Sequence, residues 1–126
     1  MKIWILSFLI ATAALIATVA IAADNPSING KWQVTSSISG NEYQATCTFT
    51  QKAEALTGSC TNDQGTVEIT GSVTGDKVAW SYKSQYNGTP LTVKYEGTVN
   101  ADSLIKGSVN VPEFGAGGDF SASPSK

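Results

Sequence analysis

Residues 41–60 read NEYQATCTFTQKAEALTGSC, and this stretch decides the fold. Tyr43, Ala45, Cys47 and Phe49 alternate with Glu42, Gln44, Thr46, Thr48 and Thr50. A period of two with one polar side is the pattern of a half-buried antiparallel strand. Lys52-Ala53-Glu54 interrupts it, and Leu56, Gly58 and Cys60 resume the inward side. If Gln51 and Leu56 close this hairpin, Cys47 stands directly opposite Cys60. Facing residues at a non-hydrogen-bonded antiparallel position approach to about 4.5 Å between Cα atoms, within reach of a disulfide. The pair is therefore expected to be bridged, and a redox-active pair is the weaker alternative because the spacing is not Cys-x-x-Cys.

The same alternation runs outward in both directions. Upstream, Trp32 and Val34 share a face. Downstream come Val67/Ile69/Gly71/Val73, Val78/Trp80/Tyr82, Leu91/Val93/Tyr95/Gly97/Val99, Ile105/Gly107/Val109 and Phe120/Ala122. Turn signals separate them at Ser39-Gly40-Asn41, Asn62 to Gly65, Thr74-Gly75-Asp76, Asn87-Gly88, Asn100-Ala101-Asp102 and Pro112 to Gly117. Short strands with short connections predict an all-β fold: an eight-stranded antiparallel up-and-down meander closed as a small barrel, with Trp32 at one end. A flattened two-sheet form of the same topology is the alternative. Gly58, Gly71, Gly97 and Gly107 recur at equivalent inward positions. Glycine inside a strand weakens it, so each has either a packing and curvature role or hollows out a pocket.

Before the barrel, Met1-Lys2 is followed by a nearly unbroken apolar run from Ile3 to Ile21 and by Ala20-Ile21-Ala22. This is the pattern of an export signal cut after Ala22, with an uncleaved anchor helix as the alternative. The expected organisation is a signal peptide over 1–22 and one barrel domain over 23–126, in a periplasmic or secreted bacterial protein.

The chain of 126 residues carries 8 Lys+Arg, all of them Lys, against 10 Asp+Glu, and no His. A weakly acidic, Arg-free surface argues against nucleic acid and against anionic membranes once the signal is removed. The absence of His removes Ser-His-Asp and Cys-His nucleophile systems and imidazole metal sites. The acids fall in turns or on outward positions, so no inward carboxylate pair is expected. The sequence thus predicts no catalytic residues, no metal and no cofactor.

Inward tyrosines are the chemical anomaly, because each hydroxyl needs a partner. Small eight-stranded barrels are either filled by side chains or hold one small molecule. The first expectation is an exported, non-enzymatic barrel binding a small apolar or aromatic ligand in a cavity lined by Trp32, Tyr43, Trp80, Tyr82 and Tyr95. The alternative is a filled core in a protein-interaction, accessory or inhibitor module that contacts an extracytoplasmic protein. The Tyr82 to Leu91 hairpin, with Tyr86 near its tip, and the loop around Phe114 would then be the contact sites.

Gly30-Lys31-Trp32 resembles the Gly-x-Trp opening of the calycin barrels, the group of lipocalins and avidins. Thr48-Phe-Thr-Gln51, Leu56-Thr-Gly58, Tyr95-Glu-Gly-Thr-Val99, Lys106-Gly-Ser-Val109 and Phe120-Ser-Ala122 resemble more closely a small secreted bacterial β-barrel domain of calycin-like type. That domain occurs alone or appended to exported amidohydrolases. The resemblance implies a barrel fold and carries over no catalytic residues. Cys47 and Cys60 stand where that family usually has apolar or small residues, and the long, Trp-rich second half of avidins is missing, so biotin binding is not implied.

Overall fold

A computed structural model describes residues 27–125. The expected signal segment, 1–22, lies outside them. Eight strands follow in order: β1 (Gly30–Ile38), β2 (Asn41–Lys52), β3 (Ala55–Asn62), β4 (Gly65–Thr74), β5 (Lys77–Tyr86), β6 (Thr89–Val99), β7 (Ile105–Val111) and β8 (Ala116–Pro124). Each is antiparallel to the next, and β8 returns to β1, with Val34 opposite Ala122, so the sheet closes as a barrel rather than as two flat layers. A single 3-10 turn, Pro112–Phe114, links β7 to β8.

The turns explain the hairpins. Ser39 and Gly40 (φ 51° and 82°), like Asn87 and Gly88 (φ 50° and 77°), have positive φ at both central positions. That is the type I′ geometry whose twist matches the flanking strands. The β2–β3 turn is tighter than the sequence suggests: Lys52 pairs with Ala55, leaving a two-residue turn. A two-residue and a four-residue loop share the same centre, so the register is unchanged. Cys47 faces Cys60 and is bonded to it, with 4.0 Å between the Cα atoms.

Inward positions of all eight strands build one core, including Val34, Phe49, Leu56, Ile69, Val78, Trp80, Ile105 and Phe120. Removing each large side chain of this kind from water contributes about 1.5–3 kcal/mol. Trp80 is the hub of its rings. It stacks on Tyr95 (4.9 Å between centroids, 11° between planes) and packs against Phe49 at 5.0 Å and Phe120 at 5.2 Å.

The repeated glycines serve packing. Gly97 and Gly107 face each other across β6 and β7. A Cβ on Gly107 would strike the Glu96 carbonyl oxygen, and one on Gly97 would lie 2.8 Å from the Phe120 ring. Cβ atoms at Gly58 and Gly71 would meet the carbonyl oxygens of Thr48 and Ala79. These are close approaches of a strongly bent sheet, and none of the four glycines borders the interior cavity.

One end of the barrel is closed by the chain leading into β1. Ile28 is 1% exposed. Its carbonyl accepts the Trp32 indole N–H at 2.9 Å, and its own N–H donates to Gln51 Oε1 at 3.0 Å. Trp32 therefore shares the closure of this end with Ile28, which the strand alternation does not reach.

Candidate functional site: the open mouth of the barrel

The other end is bordered by the β1–β2, β3–β4 and β5–β6 turns and by the 3-10 turn. It opens into a cavity of about 310 Å³. Its buried side is formed by Val34, Ser36, Val93 and Tyr95, with Tyr82 and Leu91 partly buried above them. Its rim carries Tyr43, Tyr86 and Phe114, the three exposed large hydrophobic side chains among the described residues, at 52%, 64% and 48% exposure. Isolated exposed apolar residues are ordinary, but aromatic side chains gathered around a concave opening are typical of a binding surface. No Asp, Glu, Lys or Arg lines the cavity.

The structure divides the five residues that the sequence nominates. Tyr43, Tyr82 and Tyr95 come together in the mouth. Tyr43 lies on the inward side of β2, but at the strand's end, where it stands on the rim instead of in the interior. Trp32 belongs to the closed end, and Trp80 lies in the core beneath Tyr95 at 2% exposure, so neither lines the mouth. Tyr86 and Phe114, nominated from sequence as protein contacts, border the same cavity and meet edge to face at 6.2 Å. Ser36 was not nominated. Its signal is its position between Val34 and Ile38, a hydroxyl on an otherwise apolar inward row.

Ser36, Tyr95 and Tyr82 bring three hydroxyl-bearing side chains to the inner part of this cavity. Burial pushes the Tyr82 phenol well above its ordinary value, and the nearby Tyr95 pushes it further. Burial also raises Tyr95, and the neighbouring Ser36 and Tyr82 hydroxyls offset part of the rise. Both phenols are therefore neutral donors at physiological pH and poor general bases.

Glu113 locks the rim. β6 and β7 pair from Lys94 and Asn110 onward, so the next inter-strand place, opposite Thr92, falls on Pro112 where β7 has ended. Glu113 meets the orphaned group instead: its Oε1 accepts the Thr92 N–H at 2.9 Å and its Oε2 the Thr92 hydroxyl at 3.0 Å. Lys83 Nζ donates to the same Thr92 oxygen at 2.9 Å. These bonds hold the Glu113 carboxyl below its ordinary value, the Thr92 amide contributing most. The adjacent Phe114 is thereby held against Tyr86.

A broader depression of about 590 Å³ lies on the outer face over Gly97 and Gly107. Lys77 and Lys106 there are balanced by Glu96 and Asp119, and no aromatic side chain lines it. Among the described residues, no three His, Cys, Asp or Glu side chains gather as metal ligands, and no helix is long and apolar enough to cross a membrane. No protein-family model matches the chain, and neither the curated proteins nor the solved structures contain a match to it.

Proposed function

We propose that this protein is an exported, non-enzymatic barrel of calycin-like build that binds a small neutral molecule, flat and apolar or aromatic, in its mouth. The observation that carries this reading is the uncharged cavity ringed by Tyr43, Tyr86 and Phe114. Its volume of about 310 Å³ falls at the small end of ligand sites. The Cys47–Cys60 bridge supports an oxidising, extracytoplasmic compartment, periplasm or medium. The Glu113 bonds to Thr92 favour a preformed rim, which lowers the ordering cost of binding.

The test compares native and denatured masses of the protein purified from the exported fraction. The expected result is a native mass larger by one small molecule that is lost on denaturation. Equal masses, together with no binding from a panel of neutral aromatic compounds, would overturn the reading. The exposed Tyr86–Phe114 pair favours the second reading, in which the rim contacts another extracytoplasmic protein as an accessory or inhibitor module.

A further inference from the structure

The mouth cavity adjoins a polar groove of about 480 Å³ that lies over β1, β2 and β3, and the two share Gln44, Ala45 and Asn62. The alternation of β2 makes the join. Tyr43 and Ala45 belong to its inward row, and Glu42, Gln44 and Thr46 to its outward row. The groove holds two exposed carboxylates, Glu42 and Asp63, and its other side chains are neutral. No Lys lines the groove or the mouth. Glu113, by contrast, is already bonded to Thr92, whose hydroxyl also accepts from Lys83. An uncharged cavity with an aromatic rim thus lies beside an anionic strip that has no counter-charge in its lining. An occupant matched to both is aromatic at one point and cationic beside it.

Resting on the reading in which the rim contacts another extracytoplasmic protein, we infer that mouth and groove together dock an exposed basic segment of that protein. One aromatic side chain seats in the mouth, and neighbouring Lys or Arg side chains lie along Glu42 and Asp63. The reach of the site favours a polypeptide. Glu42 to Thr46 covers about 13 Å of extended strand, which a single flat molecule in the mouth leaves uncovered and about four residues of extended chain would follow. The aromatic anchor supplies most of the affinity, because it is the part taken out of water. The exposed carboxylates act mainly on partner choice and on the rate of encounter.

Short end-blocked peptides test this by calorimetric titration of the intact, oxidised protein. Each has Gly-Trp-Gly at its centre, flanked on both sides by paired Lys, paired Ser or paired Glu, and a fourth has Lys flanks with Ala in place of Trp. The Lys-flanked Trp peptide is expected to bind tightest at low salt, by about fivefold over the Ser-flanked one, the scale of two exposed ion pairs. The Glu-flanked peptide is expected to bind most weakly, and the Ala-centred one at least about tenfold more weakly than its Trp counterpart. The Lys advantage should shrink as salt is raised. It should also fall toward one in the Glu42→Gln/Asp63→Asn double variant, whose two side chains are exposed. Equal affinity for Lys- and Ser-flanked Trp peptides would overturn the inference and leave the rim-contact reading in place. Equal affinity for the Trp- and Ala-centred Lys peptides would overturn it as well, since charge alone would then account for binding. Tryptamine binding as tightly as the Lys-flanked Trp peptide would overturn it in favour of a small amine. No binding of any peptide would overturn both the inference and the rim-contact reading.

Discussion

Reduction of Cys47–Cys60 is expected to cost this barrel about 3 kcal/mol, the loop-closure value of the chain-entropy model for a short loop. The two cysteines are 13 residues apart in sequence. They face each other within a continuous ladder, flanked by the pairs Thr46–Thr61 and Thr48–Ser59. Reduction removes no heavy atom and leaves the ladder paired, so most of the loss comes from the greater freedom of the unfolded chain. Substitution by Ala would confuse the measurement, because both sulfurs lie in the core at 1% and 5% exposure and their removal adds a cavity cost. The assay is thermal unfolding of the oxidised and the phosphine-reduced protein, followed by tryptophan fluorescence. For a domain of this size, roughly 5 °C per kcal/mol gives a drop of about 15 °C. A loss below about 1 kcal/mol would refute the reasoning. It would mean that the β2–β3 hairpin already holds its ends together in the unfolded ensemble.

Gly107→Ala drives a Cβ into the Glu96 carbonyl and the Gly97 Cα, both backbone that cannot yield without moving a strand. It is expected to destabilise by about 3 kcal/mol or more in urea unfolding, against a near-neutral Ser108→Ala on the outward side of the same strand. Because the Glu113 carboxyl is lowered in the folded state, its hold on Thr92 is complete above the ordinary carboxylate range and is lost as pH falls through the folded value. Protection of the Thr92 amide, its exchange measured against the intrinsic rate at each pH, should therefore fall on acidification, and Glu113→Gln should remove that acid dependence; an unchanged profile in the variant counts against the clasp. The raised phenols of Tyr82 and Tyr95 have the opposite sign. Their contribution is complete below about pH 10, the ordinary tyrosine value, and is lost as pH rises beyond it. Phenolate absorbance should show these two ionising only above the ordinary tyrosine range, together with unfolding, and Tyr82→Phe should shift the alkaline transition upward.

Strand order, register and the disulfide were legible because they depend on local chemistry. Alternation assigns each side chain to a face, and the centre of the turn assigns each residue its cross-strand partner, so Cys47 and Cys60 could be paired on paper although the loop is two residues long and not four. The candidate site was legible in part. Tyr43, Tyr82 and Tyr95 share the inward side with Trp32 and Trp80, and alternation distinguishes inside from outside but not one end of a barrel from the other. Height along the barrel depends on strand tilt and on how far each strand outlasts its neighbours. That is why Tyr43 emerges on the rim while Trp80 is sealed beneath Tyr95. Ile28 escaped notice because it precedes the first strand and packs through a fold-back that no periodicity records.

The sequence by itself determined an all-β meander, its turns and its crosslink, since these follow from residue-scale preferences and a period of two. Only the tertiary structure decided which end is plugged and which is open. It also decided that the glycines accommodate backbone and the Phe120 ring instead of bordering the interior cavity, and that Ser36, Tyr82 and Tyr95 line one mouth. Closing the sheet brings strands distant in sequence around one axis, and the space left at each end is set by side chains meeting across it.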